Sequence, residues 1–222
     1  MSYSGKVRAG GPADVRELST LTVTKVAVDA QMSNNCYLLT CRQTGDRLLI
    51  DAADEAPRLL ELVGDSLATV VTTHQHWDHH RALAEVVAAT GCAVLAGAPD
   101  ADAITEQTGV PVTRTLEHGD TVRVGEVSLA VIALRGHTPG SVALRYDDPT
   151  GHPHLFTGDS LFPGGVGNTF GDADAFVQLL DDVETRIFAE LPDDTWFYPG
   201  HGDDSTLGAQ RPHLAEWRAR GW

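Results

Sequence analysis

Cysteine is scarce: the 222 residues hold three, Cys36, Cys41 and Cys92, with no Cys-x-x-Cys pair. An odd number at such spacings argues against a disulfide framework and points to reduced thiols. Long hydrophobic runs are missing too. No apolar stretch approaches the roughly 20 residues that span a bilayer, and Met1-Ser-Tyr-Ser-Gly-Lys6 has no hydrophobic signal core. Basic charge is in deficit, since 16 Lys and Arg against 31 Asp and Glu leave a net charge of −15. Such a surface repels a polyanion, so nucleic acid is not an expected partner. The expectation is a cytoplasmic enzyme with a small-molecule substrate and no membrane or nucleic-acid partner.

What is present is an ordinary globular composition, 42% hydrophobic and 21% charged. A chain of this length buries roughly 70% of its unfolded surface and suits one domain. Residues 1–20 are polar and glycine-rich, which predicts a loosely ordered N-terminal segment, with a single domain over 21–222. No repeat, low-complexity linker or long charge run divides it.

Leu21 to Val28 alternates as a half-buried strand. Cys36-Tyr-Leu-Leu-Thr-Cys41 and Arg47-Leu-Leu-Ile-Asp51 predict a hairpin across Gln43-Thr-Gly-Asp46. A short helix over 56–63 precedes a strand over 68–73; a helix over 80–90 stops at Gly91, before a strand over 93–96. Residues 98–108 read as helix or loop. Further strands are predicted at 127–134, at 142–146 paired with 154–157, and at 195–198.

The chain is organised around Thr73-His74-Gln-His76-Trp-Asp78-His79-His80, which follows the β-branched run from Leu67. In extended chain, His74, His76 and Asp78 point to one side, while His79 opens the next helix and points elsewhere. Four donors aimed two ways suit two metal ions better than one. Imidazole and carboxylate without thiolate are the donors of a catalytic rather than a structural zinc site. His137 in Arg135-Gly-His-Thr-Pro-Gly-Ser141, Asp159 in Gly158-Asp-Ser-Leu-Phe162 and His201 in Pro199-Gly-His-Gly202 also sit just past hydrophobic strands. Flanking glycines let backbone approach closely at such a crowded place. His118, His152, His154 and His213 lack that context and read as surface or core residues. His80 adjoins the cluster but starts the helix, which suggests a supporting place.

Taken together, His74-Gln-His76-Trp-Asp78-His79, Gly136-His137-Thr-Pro-Gly-Ser, Gly158-Asp159-Ser-Leu-Phe and Gly200-His201-Gly resemble the motif set of the metallo-β-lactamase superfamily, most of all its glyoxalase II-like branch. Asn35-Cys-Tyr-Leu-Leu and Leu49-Ile-Asp51 extend the match toward the N-terminus. The resemblance implies an α/β fold: an αββα sandwich of two mixed sheets back to back, helices outside, metals at one edge, and a hydrolase domain over 21–222. It implies that His74, His76 and His137 hold one zinc, that Asp78, His79 and His201 hold a second, and that Asp159 bridges them. Asp78 and Asp159 are then the carboxylates that serve catalysis, with iron or manganese as the alternative metals. Metal-bound water ionises near pH 7, and a hydroxide held between two zinc ions would attack a thioester or related ester. Thr73, Ser141 and Ser160 are expected to orient the ligands. The alternative that the resemblance allows is a mononuclear iron persulfide dioxygenase, using two His and one Asp.

Two departures shape the substrate expectation. Glyoxalase II proteins carry a basic helical C-terminal extension that binds glutathione, whereas about twenty residues follow His201 here, among them Arg211, Arg218 and Arg220. Gly167-Asn-Thr-Phe170 also stands where the branch often has Gly-Arg-x-Asp. A thiol carrier other than glutathione is therefore expected. Asp51-Ala-Ala-Asp54 in place of the family's common Asp-Pro-Gly alters a loop, not the metal donors.

Overall fold

In the computed structural model, which describes residues 3–221, seven strands form a first mixed sheet in chain order. β1 (Asp14–Glu17), β2 (Leu21–Val28), β3 (Asn34–Cys41) and β4 (Arg47–Ile50) run antiparallel. β5 (Leu67–Thr72), β6 (Ala93–Gly97) and β7 (Arg114–Leu116) continue it in parallel from β4. Parallel neighbours need crossovers, which α1 (Ala56–Val63), α2 (Leu83–Thr90) and α3 (Ala101–Thr108) supply. Gly91, at φ 68, closes α2 by donating its N–H to Val87 O, the stop its sequence position predicts.

The second sheet is built from β8 (Thr121–Val124), β9 (Val127–Ala133), β10 (Val142–Asp147) and β11 (Pro153–Gly158). A small hairpin, β12 (Leu161–Phe162) and β13 (Gly165–Val166), leads to α4 (Ala173–Val183). The chain returns through β14 (Trp196–Pro199) and β15 (Ser205–Thr206), then α5 (Leu207–Gln210) and α6 (Leu214–Arg220). Strand order is β15-β14-β11-β10-β9-β8, with β14 parallel to β11 and the other pairs antiparallel.

Strand alternation sorts the apolar residues into three layers. Leu21, Val23, Leu39, Leu48, Ile50 and Val71 of the first sheet face Leu129, Val131, Leu144, Phe156 and Tyr198 of the second. The opposite side of the first sheet, with Val26, Leu38, Leu49, Val70 and Val94, is covered by Leu59 and Val63 of α1 and Leu83 and Val86 of α2. Ala143, Leu155 and Phe197 on the outer side of the second sheet meet Phe176, Leu179, Leu180 and Val183 of α4 and Trp217 of α6. This is the expected αββα sandwich. Central strands are covered on both faces, so they read as continuous apolar runs rather than alternating ones.

The N-terminal segment corrects its expectation. Residues 1 and 2 lie outside the described residues, but 3–20 are docked rather than loose. Asp14–Glu17 pairs along β2, Tyr3 packs edge-on against Trp196 with ring centroids 6.2 Å apart, and Asp14 Oδ2 caps the N–H groups of Ser4 and Gly5. The helix expected from residue 80 begins at Leu83, after a tight 3₁₀ turn over Trp77–His79. All three cysteines are buried and free. Among the described residues no helix is long and apolar enough to cross a membrane.

Candidate metal centre

Four loops leaving four strands converge at one edge of the sandwich. β5 delivers His74, His76, Asp78 and His79; the β9–β10 connection delivers His137; Asp159 follows β11 and His201 follows β14. Their donor atoms fall into three overlapping groups, each within 4.8 Å: His74, His76 and His137; Asp78, His79 and His201; and His74, His79 and Asp159. Asp159 sits between the outer two, its Oδ2 3.7 Å from His137 Nε2 and 3.4 Å from His201 Nε2, its Oδ1 3.4 Å from His79 Nε2. All seven expected residues are brought together.

The route to that arrangement differs from simple alternation. His76 is extended, but His79 N–H then bonds His76 O at 3.0 Å and the chain turns. The turn carries Asp78 away from His74 and His76, leaving its Oδ2 3.4 Å from His201 Nε2. Asp78 therefore joins His79 rather than the side shared by the first two histidines.

The outer ring nitrogens fix what the inner ones present. His137 Nδ1 lies 2.7 Å from Asn168 O, and His201 Nδ1 lies 2.9 Å from Met32 O. A carbonyl only accepts, so each Nδ1 carries the hydrogen and each neutral Nε2 presents a lone pair. His79 Nδ1 faces Asp51 Oδ2 at 2.8 Å. Thr73 gives its hydroxyl hydrogen to Asp51 Oδ2 at 2.8 Å, so its oxygen accepts from His74 Nδ1 at 3.0 Å. Lone pairs from these rings thus meet the Asp78 and Asp159 carboxylates in one small space. His74 Nε2 and Asp159 Oδ1 are buried there without a hydrogen-bond partner. Buried polar atoms left unpaired are costly, and divalent cations fit this donor set.

Electrostatics agree. Burial pushes His74 well below the ordinary histidine value and His137 down to about 4. Burial would lower His79 as well, but Asp159 and Asp51 outweigh it and raise that ring well above the ordinary value. His201 rises to about 9 because hydrogen bonding to Asp159 and Asp78 outweighs its burial. Asp159 is held far down by His79 and His201 despite burial. Without a cation, protons on His79 and His201 balance the carboxylates; a cation takes over that charge and displaces them.

Of the supporting residues expected, Thr73 alone touches a donor ring. Ser141 Oγ pairs with Thr138 Oγ1 at 2.7 Å, Ser160 Oγ is unpartnered, and His80 Nε2 bonds Gln75 O at 3.1 Å. Three further supports stand outside the donor motifs. Asp51 ends β4 and reaches His79; Asn34 opens β3 and donates to Asp78 Oδ2 at 2.9 Å. Asp100 joins two ligand loops, accepting from Gln75 N at 2.9 Å and from Thr138 Oγ1 at 2.5 Å. Polar residues at the mouths of apolar strands are the signal that would have found Asp51 and Asn34. Beside the centre, a cleft of about 400 Å³ is lined by Phe162, Pro163, Val166 and Arg220. Phe170, 70% exposed, stands edge-on to His76 at 5.5 Å.

Residues 30–201 match the family model of the metallo-beta-lactamase superfamily, and the chain belongs to that superfamily. Among its relatives, the hydroxyacylglutathione hydrolase of a Polaromonas species is 37% identical over 168 residues, covering 74% of this chain and 60% of that protein. The chain spans 60 to 67% of the length of the first such hydrolases it matches. Among solved structures, ETHE1 from Myxococcus xanthus superposes with a TM-score of 0.72 at 30% identity, covering 86% of this chain and 82% of that one. TTHA1623 in a di-iron-bound form gives a TM-score of 0.67 at 31% identity, covering 84% and 96%.

Proposed function

We propose that this chain is a cytoplasmic metal-dependent hydrolase that cleaves small acyl thioesters or related esters with two zinc ions. The observation that carries the reading is Asp159 standing between the His74/His76/His137 and Asp78/His79/His201 groups. Relatives named hydroxyacylglutathione hydrolase support an acyl thioester as the substrate class. The first group would hold one ion, the second group the other, and Asp159 both. Two divalent ions supply Lewis acidity and bring the ionisation of water to near neutrality.

The chain's own residues do the rest. Asp51, Asn168 O and Met32 O hold their histidines in the tautomer that presents Nε2 inward. Asn34 aims Asp78 by donating to Oδ2, the oxygen that also faces His201 at 3.4 Å and His79 at 3.5 Å. Asp78 and Asp159 reduce a divalent pair's charge from +4 to +2, so an anionic substrate is still attracted inside a protein of net charge −15. Phe162, Pro163 and Val166 line the cleft beside the centre and exclude water from an acyl group lying there. A thiolate leaving group departs without a strong protein acid.

Elemental analysis of protein purified without chelator or affinity nickel should find close to two equivalents, mostly zinc. One equivalent that stays at one under excess zinc would overturn the two-ion assignment. A second reading is the mononuclear iron persulfide dioxygenase that the motif resemblance allows, and the similar chain solved in a di-iron-bound form supports testing iron beside zinc. Free-thiol release from a thioester panel, run beside oxygen uptake with glutathione persulfide on zinc- and iron-loaded protein, separates the two. Thiol release by the zinc form is expected. Oxygen uptake by the iron form with no thiol release by either would replace the hydrolase with the oxygenase.

A further inference from the structure

Behind His201 lies a buried ion pair that the metal donors do not use. Lys25 Nζ and Asp204 Oδ1 are 2.6 Å apart, and both side chains are wholly shielded from solvent. Lys25 spends its other hydrogens on Gly202 O at 2.8 Å and Gly5 O at 2.7 Å. Asp204 Oδ2 accepts from Tyr3 OH at 2.6 Å and Trp196 Nε1 at 3.1 Å. Asn35 Nδ2 donates to Pro199 O and Gly202 O, both at 2.9 Å, and Tyr37 OH donates to Pro199 O at 2.6 Å. Asn35 N–H takes Gly200 O at 2.7 Å. The carbonyls of residues 199, 200 and 202 are therefore all gripped from β2 and β3, on either side of His201.

The N-terminal segment seals the pair. Tyr3 and Gly5 provide two of its partners, and Gly5 adopts φ +73, where a Cβ would lie 2.7 Å from Asp204 Oδ2. Stability gives little reason for this arrangement. Desolvating two charges costs several kcal/mol per ion, and apolar replacement of both partners is often neutral or stabilising. Burial accordingly pulls Lys25 down and Asp204 up, each toward its neutral form. What the pair does supply is a fixed Gly202 carbonyl.

We infer that Lys25 and Asp204, sealed by Tyr3 and Gly5, are positioning residues that hold the Pro199–Gly202 turn so that His201 Nε2 meets Asp78 and Asp159. Both of those contacts measure 3.4 Å. The inference rests on the two-ion reading, in which His201 serves the second ion. The pair acts through the turn, touching neither ion nor substrate.

The test is the charge-free double variant Lys25→Met/Asp204→Leu of the full chain. Its thermal midpoint should stay close to that of the parent. Zinc titration of metal-free protein against a competing chelator should find the first ion bound as before and the second 10–100-fold more weakly, the cost typical of lost ligand support. Hydrogen exchange at the amides of residues 200–203, measured on metal-free protein, should speed up at least tenfold, while β5 and β6 keep their protection. A role in stability alone would lower the midpoint and loosen both ions together. Unchanged exchange and unchanged second-ion affinity in the folded double variant would overturn the inference. Should the parent hold one ion only, the two-ion reading fails, and the exchange comparison alone decides the clamp. If the double variant does not fold, Gly5→Ala, which presses a methyl on Asp204 from outside the centre, must produce the same selective loosening; its absence overturns the clamp as well.

Discussion

His79 Nδ1 lies 2.8 Å from Asp51 Oδ2, the oxygen that also accepts the Thr73 hydroxyl. Through Thr73 the same carboxylate steers His74, so one side chain outside the donor set governs a ring in each ligand group. Asp51→Ala should therefore weaken binding of both ions, each by about 10–100-fold, where the Lys25/Asp204 variant weakens one. Zinc competition titration reads the difference. Two equivalents held at parental affinity would show that Asp51 does not orient these rings.

Asp159 and His80 separate a shared donor from a bystander. Asp159 lies within 3.7 Å of His137 and 3.4 Å of His79 and His201, whereas His80 Nε2 spends itself on Gln75 O. Asp159→Ala should lose hydrolysis below detection and drop metal content. His80→Ala should keep at least a few per cent of the rate, roughly the loss expected for a supporting group. Equal activity in the two proteins would break the assignment.

Gly200 is where backbone and donors come closest. A Cβ there would lie 2.1 Å from Asp159 Oδ1 and 2.8 Å from His79 Cε1. Gly200→Ala should thus displace a carboxylate oxygen without changing any donor's chemistry, and lower zinc content while the protein remains folded. Parental zinc content in a folded Gly200→Ala protein would count against a donor site at Asp159.

The metal-free protein should have its own pH dependence. His201 is raised to about 9 by Asp159 and Asp78, against burial. A raised base contributes stability in full below its unfolded value near 6.5, and loses it as pH climbs through 9. Chelator-treated protein should therefore lose up to about 3 kcal/mol between pH 6.5 and 9.5. Zinc-loaded protein, with the Nε2 hydrogen displaced, should hold a flat thermal midpoint over that range. Parallel curves for the two forms would show that the ion does not replace this proton.

The donors were legible because they stand just past apolar runs, four of them packed into His74–His79 and the other three each beside a glycine, a pattern local in sequence. The layer order was legible too, because residues buried on both faces leave continuous apolar strings such as Leu48–Ile50. Asp51, Asn34 and Asp100 were not, since each is a single polar residue whose partner lies 25 or more positions away. β1 escaped notice because a four-residue edge strand with alternating exposure buries too little to mark itself. Its neighbour Tyr3 is ordered by Asp204, 201 positions on, which no window of sequence can see. The direction of Asp78 was misread because spacing by two assumes extended backbone, and one hydrogen bond from His79 to His76 bends it.

The two ligand groups draw on both sheets: His79 from the first and His201 from the second stand 122 positions apart and 3.2 Å from each other. An ion held there acts as a removable cross-link across the sandwich, closing a loop whose entropy the unfolded chain would otherwise regain. Its last donor exists only once β14 has been made and paired, so capture comes late in folding. The donors open on the cleft beside Phe162, so such an ion could leave without the sheets parting. Its removal should then loosen both sheet edges at once, with faster hydrogen exchange at residues 73–79 and 200–202 while the strands between them stay protected.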